Sequence, residues 1–340
     1  MDVITRNFFR LLRAGVFDQQ EQIEPMSAWK WRQTFRMATA HHVEALLHDG
    51  IDVCSGQFFL QLPDDLAADW QEAATRIEEA SRKVYASLTD LLTTLSEQRL
   101  RPILIGSMAQ TTLYSYPLHR MPATADIFFP FETQGKKADQ WAYDNGEDQD
   151  ESDSYTLCYK WNELHVIHHH RLQRMTNKLL NRTLQNLIQQ EFRESPTSFI
   201  TLNGRRIETI APTLSMLITL MDTVQTMLSE GIRLQNLTDL GLQLRKVGDR
   251  VDYVKLQGWI EQLHMQRMAQ LIGTHLTQLL GFTTDETPFM SPEEDASDVA
   301  SCQRFLVSKQ AIARYYRYFP SEGMANIISS FTQSITRIEE

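Results

Sequence analysis

The chain has 340 residues, 42% of them apolar and 22% charged, with only 14 Gly and 11 Pro, which excludes a disordered or low-complexity chain and allows about two domains. A formal net charge of −10 repels phosphate backbones and disfavours nucleic-acid partners except where basic residues cluster locally. Cys54, Cys158 and Cys302 are scattered without paired spacing, which argues against a disulfide framework and a thiolate zinc site.

The opening residues, Met1-Asp2-Val3-Ile4-Thr5-Arg6, carry no basic start followed by an apolar core. No run approaches the roughly 20 apolar residues that span a bilayer. The expectation is a soluble, cytoplasmic protein with no membrane partner. Residues 1–99 read as a helical region. Ser27 is placed to cap a helix in which Trp31, Phe35, Ala38 and His42 recur at helical spacing. A second stripe, Val84, Leu88, Leu91, Leu92 and Leu95, requires an apolar surface to pack on, and the strand that follows is the natural partner.

The character changes at Arg101, and residues 100–212 read as an α/β core. Pro102 to Ile105 is a short buried strand, stopped by Gly106-Ser107 and followed by a helix from Met108 to Tyr114. Ala125 to Phe129 is a second strand, closed by Pro130. The acidic run from Glu147 to Asp153 reads as a solvated, mobile loop. Tyr155 to Tyr159 and His165 to His169 form two strands around Trp161-Asn162-Glu163. Asn203-Gly204 joins two further strands, Phe199 to Leu202 and Arg205 to Ile210, because both turn positions tolerate positive φ. Residues 213–340 are helical again. Pro212 starts a helix whose face is Leu214, Leu217, Ile218, Met221, Val224 and Leu228, ended by Gly231. Leu256 to Leu280 and Ala311 to Phe319 read as later helices, with an acidic, exposed loop from Thr283 to Ser301.

The segment Ile103-Leu104-Ile105-Gly106-Ser107, then Leu113-Tyr114, Tyr116-Pro117, Arg120 and Ala125-Asp126-Ile127-Phe128, resembles the signature of an uncharacterised bacterial nucleotidyltransferase family. Its Tyr-Pro to Arg spacing is shorter than the family's. The Asn-Gly hairpin followed by Ala211-Pro212, and Ser229-Glu230-Gly231 with Asp239, fall in the family's order. The resemblance implies an α+β fold: a small mixed, polymerase-beta-like sheet flanked by N-terminal and C-terminal helical bundles. It also implies transfer of a nucleoside monophosphate from an NTP with Mg²⁺ as cofactor. That chemistry needs hard anionic oxygens, because divalent ions neutralise charge on the attacking and leaving oxygens. Two carboxylates one residue apart on a strand share a face, and a third comes from the neighbouring strand.

The resemblance puts Gly106 and Ser107 at the phosphate turn, with Arg120 and Thr124 among the nucleotide-binding positions. Asp126 is the remnant catalytic and metal-binding carboxylate. The family's lysine before the turn is Ile105 here, its first aspartate is Thr124, its third carboxylate is Ile167, and its helical arginine is Gln235. The expectation is therefore a degenerate member: a pseudoenzyme that retains nucleotide or protein-partner binding without efficient transfer. Two alternatives stand beside it. One is an active transferase using Asp126 and a substitute acid such as Glu163, with Mg²⁺ and NTP. The other is a non-catalytic structural or interaction protein whose cleft is filled by its own side chains. Asp126 also has a bland reading, satisfied by backbone donors or by Arg120, and Asp239 one of local capping or pairing. His165 and His169 share one strand face, and His168 and His170 the other. Pairs two apart can co-ligate zinc or nickel, but with no nearby cysteine or second His motif the reading is an edge strand with polar, partly exposed imidazoles.

Overall fold

The computed structural model describes residues 1–121, 124–151, 155–195, 197–289 and 319–321. Four helices open the chain: α1 (Val3–Phe17), α2 (Ala28–His41), α3 (Glu44–Cys54) and α4 (Asp64–Glu97). The Ser27 hydroxyl accepts from the Lys30 N–H and caps α2, as its position in the sequence demands. His42 does not continue the apolar face of that helix. It is the residue that ends it, at φ 56.

The sheet is built from β1 (Ile103–Ile105), β2 (Ala125–Phe128), β3 (Glu147–Asp150), β4 (Thr156–Trp161) and β5 (Leu164–His169), in the order β1-β2-β5-β4-β3. β2 and β5 run parallel and the remaining pairs antiparallel. Between them lie α5 (Gly106–Gln110) and α6 (Glu132–Asn145). The alternation of side chains along a strand splits the interior in two. Leu104, Ala125, Ile127, Leu157, Tyr159, Leu164 and Val166 pack with Leu88, Leu91 and Leu95 of α4 and with Ala138 and Ala142 of α6. Ile103 and Ile105 turn the other way, into the helical core. The stripe on α4 thus has the sheet as its partner surface.

The remaining elements are α7 (Lys178–Glu194), the hairpin β6 (Thr197–Leu202) and β7 (Arg205–Ile210), and the helices α8 (Pro212–Ser229), α9 (Leu234–Val247), α10 (Tyr253–Gln262) and α11 (Gln266–Leu280). Asn203 and Gly204 turn the hairpin at φ 49 and 75. The helical core joins distant parts of the chain: Phe8 and Leu12 of α1 share it with Leu217 of α8, Leu240 of α9 and Leu276 of α11. The architecture is α+β, a small mixed sheet held between N-terminal and C-terminal helices.

Three expectations need correction, and one helix was not foreseen. The acidic run is not a loop over its described length: Glu147–Asp150 is the fully exposed edge strand β3, paired with β4, while Asp153 lies outside the described residues. Charged side chains suit such an edge because they discourage further strand pairing. The His-bearing strand β5 is not an edge at all, since it sits between β2 and β4. The helix expected from Leu256 to Leu280 is two helices, broken where His264 takes φ 56 and the Met265 N–H returns to Ile260 O at 2.9 Å. Helix α7 has no counterpart in the sequence reading, although Asn177 caps it and Leu180, Leu184 and Ile188 line its buried side. The Thr283 to Ser301 loop from residue 290 onward, Cys302, and the Ala311 to Phe319 helix up to residue 318 lie outside the described residues.

Candidate nucleotide site

Asp126 sits on β2 opposite Ile105 of β1 and Ile167 of β5. Its side chain leaves the sheet on the face away from α4, the same face as Phe128 on its own strand and His169 on β5. There it borders a cleft of about 460 Å³, lined among others by Gly106, Ser107, His169, Arg171, Arg174 and Asp222. Gly106 is required at this turn. It holds φ +64, and a Cβ there would lie 3.1 Å from Asp126 Oδ2.

The carboxylate of Asp126 is held by the protein itself. Thr124 Oγ1 donates to Oδ2 at 3.2 Å, and His169 Nε2 lies 2.7 Å from Oδ1. Thr124 stands where the resemblance puts a first aspartate, and Ile167, where it puts a third carboxylate, is the direct cross-strand neighbour. Neither supplies charge.

A second acid enters from α8. Asp222 faces the cleft along a helical stripe with Ile218, Gln225, Thr226 and Ser229. Burial pushes its carboxyl up to about 7, with repulsion from Asp126 adding to the effect, while His169 and the hydrogen bond from Gln173 work against it. Gln173 Nε2 donates to Asp222 Oδ1 at 2.6 Å, and Gln225 Nε2 in turn donates to Gln173 Oε1 at 3.1 Å. The sequence reading missed Asp222. The signal was present: it is the lone charged residue in the 18 residues of α8.

The basic side of the cleft consists of Arg171, Arg174 and Arg233. The first two lie over the ring of Tyr155, with guanidinium carbons 5.3 and 5.2 Å from its centroid, and Arg233 pairs with Glu230. In a chain of net charge −10, this is a local concentration of positive charge of the kind that polyphosphate binding needs.

Arg120 is elsewhere. Its guanidinium grips Asp239 in a two-pronged pair, Nε to Oδ1 at 2.9 Å and Nη2 to Oδ2 at 2.6 Å, and both residues are buried. The Tyr114 hydroxyl also donates to Asp239 Oδ1 at 2.7 Å. Burial opposes the Arg120 charge, but Asp239 outweighs it and raises the guanidinium pKa further. Arg120 therefore neither lines the cleft nor neutralises Asp126, and Asp239 pairs across 119 residues rather than locally. Of the residues expected at the site, Gly106, Ser107 and Asp126 border the cleft and Thr124 touches Asp126. Gln235 gives its side-chain N–H to His42 O at 2.9 Å, and Glu163 is an exposed residue of the β4–β5 turn.

These donors do not form a ready dication cradle. Asp126 has no second carboxylate on its own strand or directly across from it, and both of its oxygens have protein partners. Among the described residues, one group alone brings three ligand atoms within 4.8 Å of one another, and it does not include Asp126.

No helix among the described residues is long and apolar enough to cross a membrane. No curated protein matches the chain. A solved structure of an antigenic nucleotidyltransferase-like protein from Paracoccidioides brasiliensis aligns with a TM-score of 0.36 and 12% identity, over 59% of this chain and 93% of that one. The family described as "Uncharacterised nucleotidyltransferase" matches residues 27–281. That stretch takes in the sheet, the cleft and every residue that borders it, and on this match the chain belongs to the uncharacterised nucleotidyltransferase family.

Proposed function

We propose that the protein binds a nucleoside triphosphate in the cleft beside Asp126 and has lost efficient nucleotidyl transfer. The observation that supports this reading is the state of Asp126, whose two oxygens are engaged by Thr124 and His169, with no carboxylate beside it on β2 or directly across on β1 and β5. Nucleotidyl transfer needs divalent ions on the attacking and leaving oxygens, and the other acid of the cleft, Asp222, has its carboxyl pushed up to about 7 by burial, which weakens its hold on Mg²⁺. Polyphosphate binding needs less. Arg171, Arg174 and Arg233 along the cleft, with the Ser107 hydroxyl, supply donors and positive charge.

The test is a thermal shift with each NTP, with and without Mg²⁺, paired with turnover of labelled NTP. A ligand that binds only the native state stabilises it by about 2.7 kcal/mol at 100 times Kd. The expected result is a raised melting point and no pyrophosphate release. Mg²⁺-dependent turnover that disappears in Asp126→Asn would overturn the proposal. No shift with any nucleotide would favour a purely structural or interaction role.

Asp222 favours a second reading, an active transferase. It brings a second carboxyl into the cleft, and repulsion from Asp126 contributes to its raised pKa, a strain that a bound cation would relieve. Under this reading wild-type turnover is lost in both Asp126→Asn and Asp222→Asn. Turnover that survives Asp222→Asn removes the support for it.

A further inference from the structure

The opposite face of β5 carries a different cluster. The His170 N–H donates to Tyr155 O at 2.8 Å, which extends the β4–β5 ladder one residue beyond the strand and keeps His168 and His170 on one side. Helix α6 covers that side and brings Asp139 to them. Asp139 Oδ1 lies 2.8 Å from His168 Nδ1 and 3.1 Å from His170 Nε2, and all three ligand atoms fall within 4.8 Å of one another.

We propose that Asp139, His168 and His170 form a binding site for a zinc-class divalent transition ion, separate from the cleft at Asp126. Two imidazoles and one carboxylate suit Zn²⁺ and its neighbours, whereas Mg²⁺ prefers an all-oxygen shell. With Zn–N and Zn–O distances near 2.0–2.1 Å, tetrahedral ligand atoms stand about 3.3 Å apart. The two edges at Asp139, 2.8 and 3.1 Å, are shorter than that by a few tenths of an ångström, so a small outward adjustment admits the ion. The burial is graded as an entry path requires: His168 is enclosed, with Phe129 edge-on to its ring at 5.0 Å, while His170 keeps a third of its side chain exposed. That open side faces solvent. β5 is an inner strand and its Leu164 and Val166 share a core with Ala138 and Ala142 of α6, so His168 and Asp139 sit on core elements, with His170 one residue past the strand end.

Ion binding at this site is independent of nucleotide binding in the cleft, and its readout involves no nucleotide. The purified protein is stripped with chelator, then titrated with Zn²⁺ by calorimetry and with Co²⁺ by visible absorption, with Mg²⁺ in excess. The expected result is one ion per chain, a tetrahedral Co²⁺ band, and no competition from Mg²⁺. His170→Ala and Asp139→Asn, both at partly exposed positions, should each weaken binding by more than the roughly 10–100-fold that follows loss of a supporting hydrogen bond. His168→Gln adds a third variant but tests a buried position. Wild-type protein that binds no Zn²⁺ at micromolar concentrations overturns the proposal, and so does binding unchanged in both His170→Ala and Asp139→Asn. In either case the three residues are a hydrogen-bonded group only.

Discussion

Removing the carboxylate of Asp239 leaves the Arg120 charge in a place that water does not reach. The pair is buried and doubly bonded, and Tyr114 shares the same acceptor. Breaking such a pair from one side costs roughly 3–5 kcal/mol, because the surviving ion is left uncompensated. Asp239→Asn should therefore lower the urea midpoint far more than a surface substitution, and a loss under about 1 kcal/mol would show that Arg120 finds another partner. His275 presents the reverse case. It is 1% exposed on α11, and neither ring nitrogen has a hydrogen-bond partner among the described residues. Burial lowers its pKa from 6.5 to about 4. The unfolded chain therefore takes up a proton below about 6.5 that the folded chain refuses, so stability is intact above that pH and falls as the pH drops towards 4. The full difference is about 3 kcal/mol. His275→Leu should flatten the melting temperature between pH 7 and pH 4, and an unchanged acid slope would place the liability elsewhere. His275 falls at helical spacing with Met268, Leu271, Ile272 and Leu279 on the buried stripe of α11, whereas the exposed His264 lies in the break before that helix.

At the scale of elements, α1 and α3 cross on glycines. A Cβ at Gly15 would fall 1.9 Å from Leu46 O, and one at Gly50 1.9 Å from Leu11 O. Alanine gains about 1 kcal/mol of helix propensity over glycine, but here the obstacle is backbone, which cannot swing aside. Overpacking of this kind costs typically about 1–3 kcal/mol, and more when helices must separate. Gly15→Ala and Gly50→Ala should both destabilise, while Gly258→Ala in α10, with nothing within 4 Å of its Cβ, should stabilise. Chemical denaturation of the three variants tests the contrast, and a common sign would refute it. Most elements were legible because their signals are local. The Ser27 cap, the Asn203-Gly204 turn and the Pro212 start act within a few residues. The break between α10 and α11 was not legible, because a histidine rather than glycine or asparagine takes the left-handed position. β3 was not legible either, since four exposed polar residues become a strand only when β4 offers its edge.

For the whole molecule, the N-terminal helices are part of the same interior as the C-terminal ones. Phe8, Phe9, Leu11 and Leu12 of α1 are each at most 1% exposed in the core they share with α8, α9 and α11. Burying such side chains contributes about 1.5–3 kcal/mol apiece, so together they match the roughly 5–15 kcal/mol net stability of an ordinary domain. Deleting residues 1–26 should abolish the cooperative melting transition, as followed by near-ultraviolet circular dichroism. A sharp transition within a few degrees of the full chain would show that α1 is dispensable.

From the order of residues alone came the periodic helices, the hairpin, the Gly106-Ser107 turn and the stretch around Asp126, while the expectation of acids at Thr124 and Ile167 came from the family resemblance. Periodicity, turn chemistry and motif spacing are properties of neighbouring residues, which is why they survive in one dimension. Tertiary structure decided which charges meet. His169 reaches Asp126 across 43 residues and Arg120 reaches Asp239 across 119. Asp222 enters the cleft from α8, and Asp139 descends on His168 and His170 from α6. Electrostatic pairing depends on distance through space, and strand order and helix placement set those distances.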